Sequence, residues 1–206
     1  GLPRSGTTLT ERIIISGKNQ IQSLGETDIL DKIFFSEQII DNYENNELLT
    51  KFIFNPNNIN ILTEKLLNQY QEQGLKNHNT VFTDKSISNF LYIELIHKIF
   101  PKAKFVYCYR NPVANVVGIF RSFLPNVYWS HSLEKVFEIF ELYYKKLDKI
   151  KRSKSINLHI VELERLTSSP EKVSKELYNF LGLKWSNECI VTHNKNMIIK
   201  TASNLQ

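Results

Sequence analysis

The residues best suited to chemistry stand at the start of the chain, where residues 1–8 read GLPRSGTT. Two glycines frame a turn that contains the cation Arg4, and the turn leads directly into the apolar segment of residues 9–16. The first N–H groups of a helix have no intrahelical acceptors, and the helix dipole adds partial positive charge at this end. The octet therefore predicts a site that binds an anionic group such as a phosphate.

The spacing of the octet resembles that of a Walker A phosphate loop, with four residues between Gly1 and Gly6 and with Thr8 in the hydroxyl position. Thr7 stands where a Walker A loop has its lysine. That lysine normally reaches the β- and γ-phosphates of a nucleoside triphosphate. Its replacement favours a phosphate-containing donor over γ-phosphoryl chemistry, with Arg4 as the cation of the loop.

Three later segments carry polar residues that could meet this loop. Glu26 follows a glycine in a second loop, Lys85 follows the short β-branched run of residues 80–83, and Arg110 follows the strand-like run of residues 105–109. Strand, turn and helix in this order are typical of α/β proteins, whose ligands bind beyond the carboxyl ends of parallel strands. We therefore expect Lys85 and Arg110, which follow predicted strands, to lie near the opening loop.

Taken together, these segments resemble the sulfotransferases that use 3′-phosphoadenylyl sulfate (PAPS). The similarity is to the branch that contains tyrosylprotein sulfotransferases and bacterial sulfotransferases, which often carry tetratricopeptide repeats. The motifs that carry the resemblance follow one another in the family's order: the octet, LGETD at residues 24–28, TDKSISNF at 83–90, YRNP at 109–112, LGLKW at 181–185 and TASNLQ at 201–206. The resemblance implies one sulfotransferase domain over residues 1–206.

The resemblance also implies a role for each motif in transfer to an acceptor hydroxyl, with adenosine 3′,5′-bisphosphate as the leaving product. Glu26 would act as the base that takes the hydroxyl proton, while Lys85 and Arg4 would stabilise charge during in-line transfer. No metal is expected, because side-chain cations can stabilise the leaving phosphate. The residues implied to bind the donor are Arg4, Ser5, Gly6, Thr7 and Thr8 at the 5′-phosphosulfate, Arg110 at the 3′-phosphate, and Ser203 in a segment that closes over the donor.

Two positions depart from the family pattern. Gly118 stands where relatives have a serine that assists the arginine at the 3′-phosphate. Either a backbone group or Ser122 takes over that contact, or donor affinity is reduced. Leu163 precedes a glutamate where many relatives have tyrosine, which predicts the loss of a contact near the nucleobase. His131 and His193 are alternative bases, although neither lies in a matching segment.

The pattern and the resemblance predict an α/β fold of the P-loop NTPase-like, three-layer type, in which helices flank one central parallel sheet. Because residue 1 already lies within the opening loop, we expect the first strand to be missing and interpret the chain as a fragment. Residues 17–23 read as a polar turn and 41–58 as an irregular excursion. Hydrophobic periodicity predicts helices over 29–40, 59–73, 90–100, 113–123, 132–150 and 170–181, and strands over 80–83, 105–109 and 157–161.

Composition excludes several classes of protein. The 206 residues are 42% hydrophobic and 23% charged, as in a globular domain, and no run is long enough to span a membrane. The net charge of +5 suits an anionic donor, but the lysines are spread out and nothing resembles a nucleic-acid recognition element. Cys108 and Cys189 lack metal-ligand spacing, and the apolar surroundings of Cys108 predict a buried thiol in a reducing, cytoplasmic compartment.

Three questions stay open at this stage. The acceptor hydroxyl could belong to a peptide tyrosine, a glycan or a small molecule, and the sequence does not predict the oligomeric state. One rival interpretation is a P-loop nucleotide kinase or ATPase, against which the missing Walker lysine argues. The other rival is a catalytically silent nucleotide-binding module, which Gly118 and Leu163 suggest.

Overall fold

The computed structural model describes residues 1–17, 19–36, 55–122, 124–125, 127–154 and 156–190. Within these ranges helices and short strands alternate, and short 3₁₀ helices lie at Ile87–Phe90, Tyr128–His131 and Asn187–Cys189. The elements in chain order are α1 (Thr7–Ser16), β1 (Gln22–Ser23), α2 (Ile29–Ser36), α3 (Pro56–Glu72), β2 (Phe82–Thr83), α4 (Ile93–Ile99), β3 (Phe105–Tyr109), α5 (Pro112–Phe120), α6 (Leu133–Ser153), β4 (Leu158–Glu162), α7 (Leu163–Ser168) and α8 (Pro170–Leu181).

The strands pair in parallel, as the α/β pattern predicts. β1 pairs with β2 in the register Gln22 to Phe82, and β3 pairs with β4 along their full length, from Phe105 opposite Leu158 to Tyr109 opposite Glu162. In the part of the chain that the structure describes, these pairs form two separate two-stranded sheets instead of the single central sheet that we predicted. A three-layer arrangement around one sheet stays a prediction.

An apolar cavity of about 770 Å³ is lined by residues of both sheets. Its lining includes Phe82 and Thr83 of β2, residues 105–108 of β3, and Gly1 and Thr7 from the opening loop and α1. β2 and β3 therefore contribute walls to one cavity and do not exchange ladder hydrogen bonds.

Helix α1 is held in place by α8, and this contact fixes the loop that precedes α1. The buried side chains of Ile13 and Leu177 belong to one apolar cluster. The Tyr178 hydroxyl donates to the carbonyl oxygens of Ile13 at 2.7 Å and Ile14 at 3.0 Å. Burial of the apolar faces supplies the stabilisation, at about 25 cal/mol per Å² of apolar surface removed from water.

The long helix α6 supports the segment that follows Lys85. Its buried stripe has helical spacing, whereas Leu133 and Phe137 of the same helix are exposed. The Tyr143 hydroxyl donates to the Ile87 carbonyl at 2.7 Å, which holds the 3₁₀ helix against α6. The buried members of the stripe are Val136, Phe140, Tyr143, Leu147 and Ile150.

Several element boundaries differ from prediction for local reasons. Residues 22–23 pair as a strand where we predicted a turn, and the predicted helix over 90–100 is divided into a 3₁₀ helix and α4. Helix α3 begins earlier than predicted because Asn55 caps it, accepting the Asn57 N–H at 3.0 Å. Helix α7 was not predicted at all. Residues 37–54 lie outside the described residues, so most of the predicted irregular excursion is not covered.

Candidate functional site

The opening loop adopts the backbone conformation that its glycines predict. Arg4 and Gly6 both have positive φ, 63° and 94°, and α1 begins directly after Gly6. A Cβ atom on residue 6 would lie 2.7 Å from Cδ1 of Leu163, so the position requires glycine for both its backbone angle and its space. Leu163, which we singled out as a departure from the family, is therefore in direct contact with the loop.

Ser5 has a structural position within this loop. Its side chain is 1% exposed, and its hydroxyl donates to the Leu2 carbonyl at 2.6 Å. The Ser5 N–H also points to the Leu2 carbonyl, at 3.3 Å. Both donors of Ser5 therefore close the turn on itself. The donor contact that we expected of Ser5 stays a prediction.

The first turn of α1 presents the groups that an anion needs. Thr7 and Thr8 are half-buried, and the turn Thr7–Thr10 is uncharged. Its N–H groups and the positive end of the dipole point towards the loop. These features fit the anion site that we predicted for residues 4–8.

Arg110 is brought against the same loop from the end of β3. Its Nη1 atom donates to the carbonyl of Arg4 at 3.0 Å, so the two predicted phosphate-binding arginines are neighbours. Gly118 lies beneath them, since a Cβ atom there would be 3.1 Å from Arg110 Nη1 and 3.4 Å from Arg4 Cβ. The structure thus brings Arg4, Arg110 and Gly118 together, and their role in binding a donor stays a prediction.

The hydroxyl of Ser122, one of our alternatives to the missing serine, lies against the backbone at the end of its own helix. Its hydroxyl donates to the Gly118 carbonyl at 2.7 Å, within helical reach. A serine that donates back along its own helix uses its proton for the helix carbonyl. In this arrangement Ser122 can offer its lone pairs to Arg110, because a guanidinium has donors only. Ser122 as an acceptor, a backbone group and reduced affinity all stay predictions for the missing serine.

Two residues that sequence reasoning missed fix the Arg110 turn. Glu164 accepts the N–H of Asn111 at 2.9 Å through Oε1. Asn115 is 2% exposed, and its side-chain amide donates to the Pro3 carbonyl at 2.6 Å. The available signal was a polar residue within the otherwise apolar helix α5, because buried amides are normally hydrogen-bonded.

Glu26 and Lys85, predicted as base and charge stabiliser, form an ion pair. Lys85 Nζ lies 2.7 Å from Glu26 Oε1, and their side chains are 8% and 25% exposed. The backbone supports this contact, since the Lys85 N–H donates to the Gly25 carbonyl at 2.9 Å. A buried ammonium is costly unless it is paired. Lys85 and Thr7 also line the same cavity, so the pair lies on the side of the molecule that carries the opening loop.

The remaining predicted site residues are less informative. Ser203, the segment of residues 201–206 and the alternative base His193 lie outside the described residues. His131 is exposed at the end of a 3₁₀ helix.

Both cysteines are buried and form no disulfide, and burial is what we predicted for Cys108. Burial raises the pKa of the Cys108 thiol, which donates to the Thr10 hydroxyl at 3.3 Å.

The described residues contain neither a cluster of metal-ligating side chains nor a membrane-spanning helix. No cluster of three or more histidine, cysteine or carboxylate side chains in these ranges could hold a metal ion. No helix in the same ranges is long and apolar enough to cross a membrane.

The chain is similar in sequence to known proteins. The chain is 28% identical over 220 residues to an uncharacterized protein of Aquifex aeolicus (strain VF5), an alignment that covers 98% of this chain and 27% of that protein. The chain thus spans about a quarter of the length of this relative. The sequence pattern of the sulfotransferase family matches residues 1–187, which include the opening loop, Glu26, Lys85 and Arg110. The chain belongs to the sulfotransferase family.

Proposed function

We propose that this chain transfers a sulfonate group from PAPS to an acceptor hydroxyl. The observation that carries the proposal is the ion pair between Lys85 and Glu26, 2.7 Å long and mostly buried. A carboxylate and an ammonium in contact provide the proton acceptor and the cation that transfer needs. The family match extends over both residues.

The donor would lie along the opening loop. The N–H groups at the start of α1, with Thr7, Thr8 and Arg4, would hold the 5′-phosphosulfate. Arg110 would hold the 3′-phosphate, because a guanidinium fork matches phosphate oxygens. Its contact with the Arg4 carbonyl, 3.0 Å long, supports a continuous site for both anionic groups. Ser203 and Ser5 stay proposed donor contacts, and the Ser5 hydroxyl and N–H also close the loop on the Leu2 carbonyl.

The transfer step follows from the placement of the pair. Oε1 of Glu26 contacts Lys85, and Oε2 would accept the hydrogen bond of the acceptor hydroxyl. As the acceptor oxygen forms its bond to sulfur, Glu26 takes the hydroxyl proton and the bond from sulfur to the phosphate oxygen breaks. The products are a sulfate ester and adenosine 3′,5′-bisphosphate. Lys85 and Arg4 stabilise the charge that develops on the sulfonate and on the leaving phosphate.

The acceptor would be a peptide tyrosine, a glycan or a small alcohol, and the resemblance to tyrosylprotein sulfotransferases favours testing the peptide first. The purified protein would be incubated with radiolabelled PAPS and one acceptor of each kind. Glu26→Gln should lower the transfer rate at least about 100-fold, the usual range for a lost general base. Glu138→Gln, which changes an exposed glutamate on α6, is the matched control and should retain full activity.

Calorimetry with adenosine 3′,5′-bisphosphate separates the rival functions. Binding with no transfer to any acceptor would favour a silent nucleotide-binding module. Magnesium-dependent ATP turnover would instead favour a kinase or ATPase. Full transfer by Glu26→Gln would reject Glu26 as the base and leave the donor assignment standing.

A further inference from the structure

The carboxylate of Asp84 accepts hydrogen bonds from several parts of the chain. Oδ2 accepts from the Tyr70 hydroxyl at 2.7 Å and from the Thr27 hydroxyl at 2.8 Å. Oδ1 accepts from the Ser86 N–H at 2.9 Å, the Ser86 hydroxyl at 2.7 Å and the Asn89 amide at 3.0 Å. A carboxylate offers about four lone-pair positions. These donors therefore engage both oxygens of Asp84 as acceptors.

The neighbours of these groups are the two residues proposed for the transfer step. Asp84 directly precedes Lys85, and Thr27 directly follows Glu26. The Thr27–Asp84 hydrogen bond thus joins the two loops on one flank of the ion pair. On the other flank, the Lys85 N–H donates to the Gly25 carbonyl at 2.9 Å. The ion pair is therefore flanked by a hydrogen bond between Thr27 and Asp84 on one side and by one between the Lys85 N–H and Gly25 on the other.

Ser86 extends the connection from Asp84 to the backbone of the Glu26 loop. Because its hydroxyl proton points to Asp84, its lone pairs face the N–H groups of Thr27 at 3.0 Å and Asp28 at 3.1 Å. Ser86 is 6% exposed and Thr27 is 5% exposed. Hydrogen bonds in such buried networks are strengthened by the low local dielectric.

We propose that Asp84 is a positioning residue for sulfonate transfer, which holds the loop of Glu26 against Lys85 through Thr27 and Ser86. The inference rests on the proposed function. Asp84 does not itself take the acceptor proton, because both of its oxygens are engaged by donors. Its effect is on the geometry of the pair. A displacement of about 1 Å in a catalytic group can lower a rate about 100-fold.

The test uses two substitutions that each remove one hydroxyl from Asp84 Oδ2. Thr27→Val removes the hydroxyl that joins the two loops, whereas Tyr70→Phe removes the one that comes from α3. Thr27→Ser keeps a hydroxyl and serves as the conservative variant. Both deletions should lower the melting temperature, Thr27→Val more than Tyr70→Phe, because the Thr27 hydroxyl also accepts the Ile29 N–H at 3.3 Å. Thr27→Val should lower kcat at least about tenfold more than Tyr70→Phe, with the KM for PAPS nearly unchanged, and Thr27→Ser should restore kcat.

A second measurement does not require transfer activity. The Lys85 side chain is 8% exposed in the ion pair. Its acylation by an amine-reactive reagent, followed by mass spectrometry, reports whether the two loops have separated. We expect faster labelling of Lys85 in Thr27→Val than in Tyr70→Phe or Thr27→Ser. Equal labelling and equal kcat in Thr27→Val and Tyr70→Phe would overturn the role of Asp84. Absence of transfer by the unaltered protein would overturn the proposed function instead, and labelling would still decide whether Asp84 positions the pair.

Discussion

The side-chain amide of Asn115 lies 2.6 Å from the Pro3 carbonyl and donates a hydrogen bond to it. The two residues belong to the helix that follows Arg110 and to the loop that contains Arg4. Together with the Arg110–Arg4 hydrogen bond of 3.0 Å, this contact makes the two proposed phosphate sites one structural unit. A ligand with phosphates at both positions would therefore meet a preformed surface, which lowers the cost of ordering the site on binding.

Asn115→Ala should weaken binding of adenosine 3′,5′-bisphosphate and destabilise the protein. The substitution leaves the Pro3 carbonyl without its partner, which costs about 1–3 kcal/mol for a buried polar group. We expect affinity to fall about tenfold, a loss of about 1.4 kcal/mol. Calorimetry and urea unfolding measure the two effects. Asn179→Ala makes the same change at an exposed position of α8 and should alter neither quantity. Equal affinities for the two variants would show that Asn115 does not support the donor site.

The predictability of this site depended on the distance along the chain between interacting residues. Local signals identified the opening loop, β3 and α8, because a glycine turn, a β-branched run and a capped amphipathic helix each act over a few residues. The Lys85–Glu26 pair joins positions 59 residues apart. Only the resemblance to a family placed these two residues in one site before the structure did.

Residues that act through partners were not predictable in the same way. Asn115 contacts a carbonyl 112 residues away in sequence, and Asp84 contacts Thr27 across 57 residues. Neither partner leaves a periodic or compositional signal. Strand β1 was missed for a related reason. Its two residues pair with β2, and a strand that short cannot show alternation.

Neutralising Glu26 and Lys85 together should restore stability but not activity. Glu26→Gln leaves a mostly buried ammonium without its carboxylate, and we expect a loss of about 2 kcal/mol, below the value for a fully buried pair. Glu26→Gln combined with Lys85→Met removes both charges and should recover most of that loss. Urea unfolding of Glu26→Gln, Lys85→Met and the double variant gives the coupling energy of the pair. Transfer activity should stay low in all three variants. Additive losses of stability would show that the ion pair does not contribute to folding.

The loop depends on Gly6 for two reasons, which are its positive φ and the lack of space for a Cβ atom beside Leu163. Substitutions can measure these two effects separately. Gly6→Ala should destabilise the protein by about 1–2 kcal/mol for its positive φ, plus a further amount for the clash with Leu163. Gly74→Ala is the matched control, because Gly74 also has positive φ, 105°, but a Cβ atom there meets nothing within 4 Å. Adding Leu163→Ala to Gly6→Ala should relieve the clash. If both glycine variants lose the same stability in thermal unfolding, Leu163 does not restrict the loop.

Two small substitutions at Gly118 should differ in their effect on the binding of adenosine 3′,5′-bisphosphate. An added Cβ atom approaches Arg110 Nη1 at 3.1 Å, and that atom is the mobile end of a long side chain, so the arginine can shift by a few tenths of an ångström. Gly118→Ser also places a hydroxyl beside Arg110, where relatives have one. The new hydroxyl would donate to the 3′-phosphate, and a hydrogen bond to a charged group contributes about 1.5–3 kcal/mol. Gly118→Ser should therefore bind adenosine 3′,5′-bisphosphate about tenfold more tightly. Gly118→Ala supplies the same Cβ without the hydroxyl and should bind equally well or more weakly. Calorimetry compares the three proteins. Weaker binding by Gly118→Ser than by Gly118→Ala would show that the space beneath Arg110 is not part of a 3′-phosphate site.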